Sequence, residues 1–588
     1  MQVDLKAFAE TELNLALAGI VEKNCFKYME IFRKKQTEFS ELGNEDFALM
    51  FGLLSEVASM WLDSEKNEPL KPMMVFEGRE TATPQNIKDE FIELLANFLP
   101  HIHDPELNAR VADILWLRKR DYLSGKQAIS TYLSAAQNLE GTEHWISQVI
   151  KRVERSIQLA RQLNDHDGLQ NAINYLKYIL ERYKADSSLE PYVLLHVLDL
   201  LEKYKLMKEN AGGFAALAEI GATEGERQKN WRIAQQYWRN KAKWHQLEDN
   251  GEKARLALVA AAEVDVYQAK QAADEIPPRF LASTAFIEDA ITALRRIGGQ
   301  QERIDELHNL LIQYGQESLK QMGEISFSMD VKSYVDKARN AVTRRTVEEA
   351  LTIWLQLADF PALDRLRAEA KRNIAEYPFR FLVSSRTLND LGKTVTRQTG
   401  GDLESDEIVR DEMLRLATIY QEADVASVIG PALYQINIEH NIRIQDLLPV
   451  LENNPFVPIG HEDIYAKGLV AGLRDDGLVA AHLLLPQLES SLREILILSG
   501  KITSGLGNDL IQDEYPLSTI LYWPELVNIF GADVVFSLRA LLVERYGSNL
   551  RNLMAHGLMQ HKDFYSYRIT YLTWLTLKLL MGFLSIPA

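Results

Sequence analysis

Residues 145–163 read WISQVIKRVERSIQLARQL, and after a short polar break residues 169–183 read LQNAINYLKYILERY. In the first stretch Ile146, Val149, Ile150, Val153 and Ile157 recur every three or four positions, the spacing that lines one face of an α-helix. The second stretch repeats the pattern, and the few residues between them allow only a reversal. Two amphipathic helices joined this tightly pack antiparallel. The same reading holds for residues 235–270, QQYWRNKAKWHQLEDNGEKARLALVAAAEVDVYQAK. There the large Trp238 and Trp244 are interspersed with the small Ala242, Ala254, Ala257 and Ala261, so two helix backbones can approach closely.

Helical periodicity extends outward in both directions, and the fold class expected is all-α. Residues 121–377 read as a helical-repeat-like array, loosely similar to tetratricopeptide and HEAT arrays but with no strict period. Residues 1–120 form an N-terminal helical block. Its loop NEPLKPMMVFEGRETATP (67–84) has room for a short strand and carries no recognisable chemistry. Residues 378–454 read as a helical connector, with TVTRQTGGDLESDE (394–407) as the best linker because it is polar and holds a Gly-Gly pair. Pro455-Phe456-Val457-Pro458 then breaks the helical pattern, and residues 455–588 form the last domain.

Composition fits this outline. The chain has 588 residues, 46% of them hydrophobic, with 31 glycines and 18 prolines, few enough to favour long helices over a turn-rich β fold. A net charge of −18 argues against coating nucleic acid by bulk electrostatics, though it leaves room for a local site. One cysteine, Cys25, excludes an intrachain disulfide and any CxxC metal site. It reads as a small buried residue in a reducing, cytoplasmic protein. Met1 leads into an amphipathic stretch with no secretory pattern. The apolar end YLTWLTLKLLMGFLSIPA (571–588) is interrupted by Lys578, and is expected to be a buried helix with no role in a membrane.

Within the last domain LVAAHLLLPQLESSLREILILSG (478–500) places Leu485, Leu488, Leu492 and Ile495 on a core stripe. His482, Glu489 and Arg493 lie on another stripe. Pro486 implies a kink or a later helix start, and Gly500 suits the position just past the helix end. SGLGND (504–509) reads as a loop, and PELVNIF (524–530) as a short helix. ADVVFSLRALLVERY (532–546) is expected to be a long helix stopped by Gly547, with Ser548 and Asn549 capping the next segment. From Ser537 onward six basic residues (Arg539, Arg545, Arg551, Lys562, Arg568, Lys578) face two acidic ones, so this end is basic within an acidic chain.

That next segment is Arg551-Asn552-Leu553-Met554-Ala555-His556-Gly557. An arginine, a polar residue, three residues and a histidine on a bundle helix resemble the HEPN ribonuclease motif, and the longer RNLMAHG is similar to the DUF4209 signature. NPFVPIGHEDIYAKGL and LLLPQLESSLREIL look like the lead-in of the same family. The resemblance covers about residues 454–580. It implies a four- or five-helix bundle and metal-independent endoribonuclease activity with no cofactor, with Arg551, Asn552 and His556 as the catalytic set. It also implies a homodimer through the bundle and a bacterial defence or toxin-like setting.

The chemistry is coherent. A ribose 2′-hydroxyl can attack its own phosphate if one group takes its proton and another stabilises the added negative charge. Histidine suits the first task and arginine's fork of donors the second. Arg551 and His556 lie about 140° apart on an ideal helix and meet only if Arg551 sits in the first turn and reaches around. Asn552 shares a face with His556 and is placed to orient the imidazole or touch phosphate. Glu489, Arg493, His561, Lys562 and Tyr565 are the RNA-binding candidates, against the plainer reading of Glu489 and Arg493 as a surface pair and of the others as a turn. Two rivals stay open. One is a non-catalytic scaffold, dimerisation or RNA-binding protein whose array holds a protein partner. The other is a regulator that uses Arg551 to hold a small phosphate ligand. No nucleotide-binding glycine loop, HExxH or EF-hand sequence is present.

Overall fold

The computed structural model describes residues 4–63, 68–76, 79–140, 145–185, 191–323, 330–389, 392–398, 400–506 and 510–584. The chain is all-α and divides into two compact units, Met1–Tyr314 and Gly315–Ala588. Among the described residues the strands form four short antiparallel hairpins. The division is coarser than the four segments read from the sequence.

In the first unit most of the packing is between helices that are neighbours in sequence, as in a helical-repeat array. The turns show how so few residues reverse the chain. Helices Ala211–Arg227, Trp231–Leu247 and Gly251–Asp274 are joined by three-residue links. In each link the middle residue, Lys229 or Asp249, takes φ +57°. The amide of the following asparagine reaches back to close the ending helix, Asn230 to the Gly225 carbonyl (2.8 Å) and Asn250 to that of His245 (2.9 Å). The side chain of Asn250 then caps the next helix at the Lys253 amide (3.1 Å), so one residue ends one helix and starts another. Trp244, Ala242, Ala254, Ala257 and Ala261 are all buried as their pattern implies; Trp238 is half-buried, its indole N–H donating to Glu226 at 2.7 Å.

Nearer the N-terminus, a polar cluster sits inside the helices. Arg152 grips Glu106 with two bonds of 2.6 Å, and Arg155 grips Asp113 at 2.9 and 2.7 Å. All four side chains are at most 3% exposed. Cys25 is buried beside them, and burial with the nearby Glu106 carboxylate pushes its thiol well above the ordinary range.

In the second unit one hydrophobic core runs from Ala338 through Trp354, Leu433, Leu469 and Leu488 to Trp574 and Leu580. It crosses residue 455 without a break, because helices on both sides of Pro455 bury their apolar faces against the same final helix, Tyr567–Leu584. Trp354 lies fully buried and donates its indole N–H to the Ile429 carbonyl (2.9 Å), in the wide turn Val425–Ile429 that interrupts the long helical run Asp406–Glu439. The apolar final helix is core, as expected, and among the described residues no helix is long and apolar enough to cross a membrane. Lys578 tethers it by donating to the carbonyls of Leu355 (3.0 Å) and Ala358 (2.6 Å).

Three local expectations are revised. The segment taken as a linker begins with a strand, Thr394–Gln398, paired with Ser385–Leu388; its β-branched residues suit a hairpin better than a flexible tether. Pro486 does not start its helix, which runs through it from Gly477 to Leu498 and ends with Gly500 at φ +77°. Gly547 does not stop the preceding helix, which ends at Leu542. Its role is close approach: a Cβ there would lie 2.0 Å from the Ala540 carbonyl oxygen, which accepts the Ser548 amide at 2.7 Å.

Candidate nucleic-acid interface

The RNLMAHG segment forms a helix of six residues, Leu550–Ala555. Asn549 is its N-cap residue, in a left-handed conformation at φ +48° and with no side-chain bond to the helix amides. The expected caps therefore sit in the right place but act differently. The Asn549 Oδ1 accepts from the Asn552 side chain (2.7 Å), and Ser548 is buried with its hydroxyl 3.2 Å from that of Tyr567. Leu550 is fully buried and anchors the segment to the bundle core. A helix this short carries little dipole, so attraction for an anion rests on side chains.

Arg551 sits in the first turn, where the reading required it. Its Nε donates to Glu489 at 3.2 Å and its Nη1 to Asn552 Oδ1 at 3.4 Å. Glu489 also accepts from Arg493 at 3.1 Å, and the Arg493 guanidinium lies 3.0 Å from Glu514 and donates to the Tyr515 carbonyl at 3.3 Å. Glu489 and Arg493 are thus more than a surface pair. They extend to Arg551 and to the hairpin strand Gln512–Glu514, which pairs with Ser504–Leu506. Residues 507–509 of the SGLGND loop lie outside the described residues. Glu514 and Tyr515 escaped the sequence reading because nothing in their local pattern points across the bundle to residue 493.

His556 stands one residue past the helix end, exposed, and among the described residues its imidazole makes no hydrogen bond or ion pair. No such bond joins it to Arg551. Asn552, expected to orient the imidazole, instead links Asn549 to Arg551, because both lie within reach at the start of the helix. Downstream, the short helical turn His561–Tyr565 exposes His561, Lys562 and Tyr565. The His561 and Tyr565 rings lie 5.0 Å apart, and Phe564 between them turns inward to stack on His482 at 5.3 Å. The basic surplus of this end is smaller at the surface than in sequence. Lys578 is committed to carbonyls, and Arg539 donates to the Leu521 carbonyl at 2.8 Å and covers the Tyr522 ring.

The fold and this cluster define an all-α protein with a compact arginine–carboxylate network beside an exposed histidine. Among known families, the model described as Domain of unknown function (DUF7380) matches residues 1–172. No curated protein and no solved structure matches the chain.

Proposed function

We propose that the second unit is a metal-independent endoribonuclease of the HEPN type, acting on RNA as a homodimer and leaving a 2′,3′-cyclic phosphate. The observation that carries the reading is the pairing of roles on one short segment, the helix Leu550–Ala555 and the residue that follows it. Arg551 is held by Glu489 with its side chain still 30% exposed, and His556, five residues on, has an imidazole at the surface with no hydrogen bond or ion pair among the described residues. His556 takes the 2′-hydroxyl proton, the 2′-oxygen attacks phosphorus, and the bond from phosphorus to the 5′-oxygen breaks as that oxygen takes a proton from solvent water. Arg551 offers its outer nitrogens to the phosphate oxygens as charge builds. Asn552 and Glu489 position the guanidinium. Arg551 and His556 do not touch within one chain, which fits a site completed by a second copy meeting the same surface about a two-fold axis.

A non-catalytic scaffold or RNA-binding role is favoured by a different observation: Glu489 and Glu514 balance Arg493 and Arg551, so the network is neutral and could serve packing alone. The discriminating experiment offers the protein an RNA oligonucleotide and its all-deoxy counterpart, with product ends identified by mass. The proposal expects cleavage of RNA alone with a cyclic phosphate terminus. Cleavage of both, or RNA bound and left intact, would refute it.

A further inference from the structure

The first unit holds a second feature that the nuclease reading does not use. A cavity of about 360 Å³ opens between the start of helix Cys25–Glu41, the strand Trp61–Leu62, and helices Pro105–Lys119 and Trp145–Gln162. That volume falls in the range of small-molecule sites, roughly 300–1,000 Å³. Its walls combine two chemistries. One is apolar and aromatic, with Met29, Met60 and Leu62 beneath and the half-exposed rings of Phe26 and Trp61 at the rim. The other is cationic, from Lys27, Lys151, Arg110 and Arg152. Lys151 places its ammonium 4.6 Å from the centre of the Trp61 ring, so cation and aromatic face meet at one edge.

The charge balance at the back wall is what singles this cavity out. Glu106 is fully buried and already held by Nε and Nη2 of Arg152. Arg110, 4% exposed, faces the same carboxylate at 3.8 Å, feels the charge of Asp113 as well, and donates from Nη1 to the Met60 carbonyl at 2.8 Å. Its Nε is buried with no hydrogen-bond partner. Asp113, the next carboxylate, is taken by Arg155 and the Tyr132 hydroxyl. Two buried guanidiniums therefore share the Glu106 carboxylate, and among the described residues that line the cavity Glu22 is the one carboxylate facing the two lysines at its mouth. A buried cation without full compensation is costly, and a cavity next to it is a place where an anion is stabilised. In a chain of net charge −18 this local surplus stands out.

We propose that this cavity binds a nucleoside phosphate, with the phosphate against Lys27, Lys151 and Arg110 and the planar base against Trp61 and Phe26. The site lies within the first unit and does not depend on the nuclease assignment.

The test is calorimetric titration of the full chain with ADP, inorganic phosphate and adenosine, each separately. Because Arg110 is buried and its loss risks unfolding, the variants are at the rim: Lys27→Ala, Lys151→Ala and Trp61→Ala, each checked by thermal melt. ADP is expected to bind more tightly than phosphate or adenosine, and each variant to weaken ADP by about tenfold, the loss of one charge-assisted or stacking contact. Absence of ADP binding at millimolar concentration, equal affinity for phosphate and ADP, or binding indifferent to all three substitutions would overturn the proposal.

Discussion

Replacing Glu106 with glutamine should be among the most destabilising single changes in the first unit. Glu106 is 1% exposed and accepts two bonds of 2.6 Å from Arg152, itself 2% exposed, with Arg110 at 3.8 Å. Burial alone would raise the carboxyl's pKa, but Arg152, through its charge and hydrogen bonds, and Arg110 outweigh it and hold Glu106 below the usual range. Glutamine keeps the shape and one acceptor but removes the charge, leaving two buried guanidiniums against none. Breaking a buried pair in this way costs about 3–5 kcal/mol, a large part of the 5–15 kcal/mol typical of a domain. The unit spans Met1–Tyr314. At about 2.1 cal/mol/K per residue its unfolding entropy is on the order of 0.66 kcal/mol/K, so the transition should fall by about 5–8 °C. The assay is calorimetry of the single variant beside Glu106→Gln/Arg152→Met. Removing both charges should cost less than the two single changes added together, by roughly 2 kcal/mol. A single-variant loss below about 1 kcal/mol, or strict additivity, would refute the reasoning that desolvation makes this pair interdependent.

Three further outcomes follow from particular contacts. Glu489→Gln should cost about 1 kcal/mol or less in a denaturant melt, because its partners keep solvent and Arg493 keeps Glu514. It should nevertheless slow RNA cleavage by about tenfold or more by loosening Arg551; an unchanged rate would remove Glu489 from the site. Asp424 is pushed up to about 6 by burial and then by the negative charge of Asp359, with Lys578 partly offsetting them. A raised carboxyl favours folding at low pH, and the benefit is lost as pH rises through 6. Asp424→Asn should therefore raise Tm relative to wild type at pH 8 and leave it nearly unchanged at pH 4, and a pH-independent difference would contradict this. Gly547→Ala should cost about 2 kcal/mol or more by urea denaturation, since its Cβ would overlap the Ala540 carbonyl; a neutral effect would mean the backbone yields freely there.

Much of the architecture was legible because helical periodicity is a strong local signal. The stripe Leu485, Leu488, Leu492 and Ile495 is buried, and Gly500 caps its helix. What escaped was long-range. The continuity of the core across Pro455 depends on Trp354 and Trp574 packing from far apart in sequence, which no window of residues reveals. Gly547 looked like a helix stop because close backbone approach leaves no sequence mark different from a turn. At the candidate site, Arg551 in the first turn followed from the cap residues, whereas Asn552 turning toward Asn549 depended on a left-handed backbone that asparagine tolerates without announcing it. The cavity beside Arg110 gathers residues spread from Glu22 to Arg152, so it has no motif at all.

The most direct test of the nuclease is RNA incubated with the full chain in excess chelator, wild type beside His556→Ala and Arg551→Ala. Both positions are partly or fully exposed, so both variants should melt close to wild type. The wild type should cleave, and each variant should lose about a hundredfold or more of that activity. Wild-type cleavage that survives both substitutions would contradict the nuclease reading.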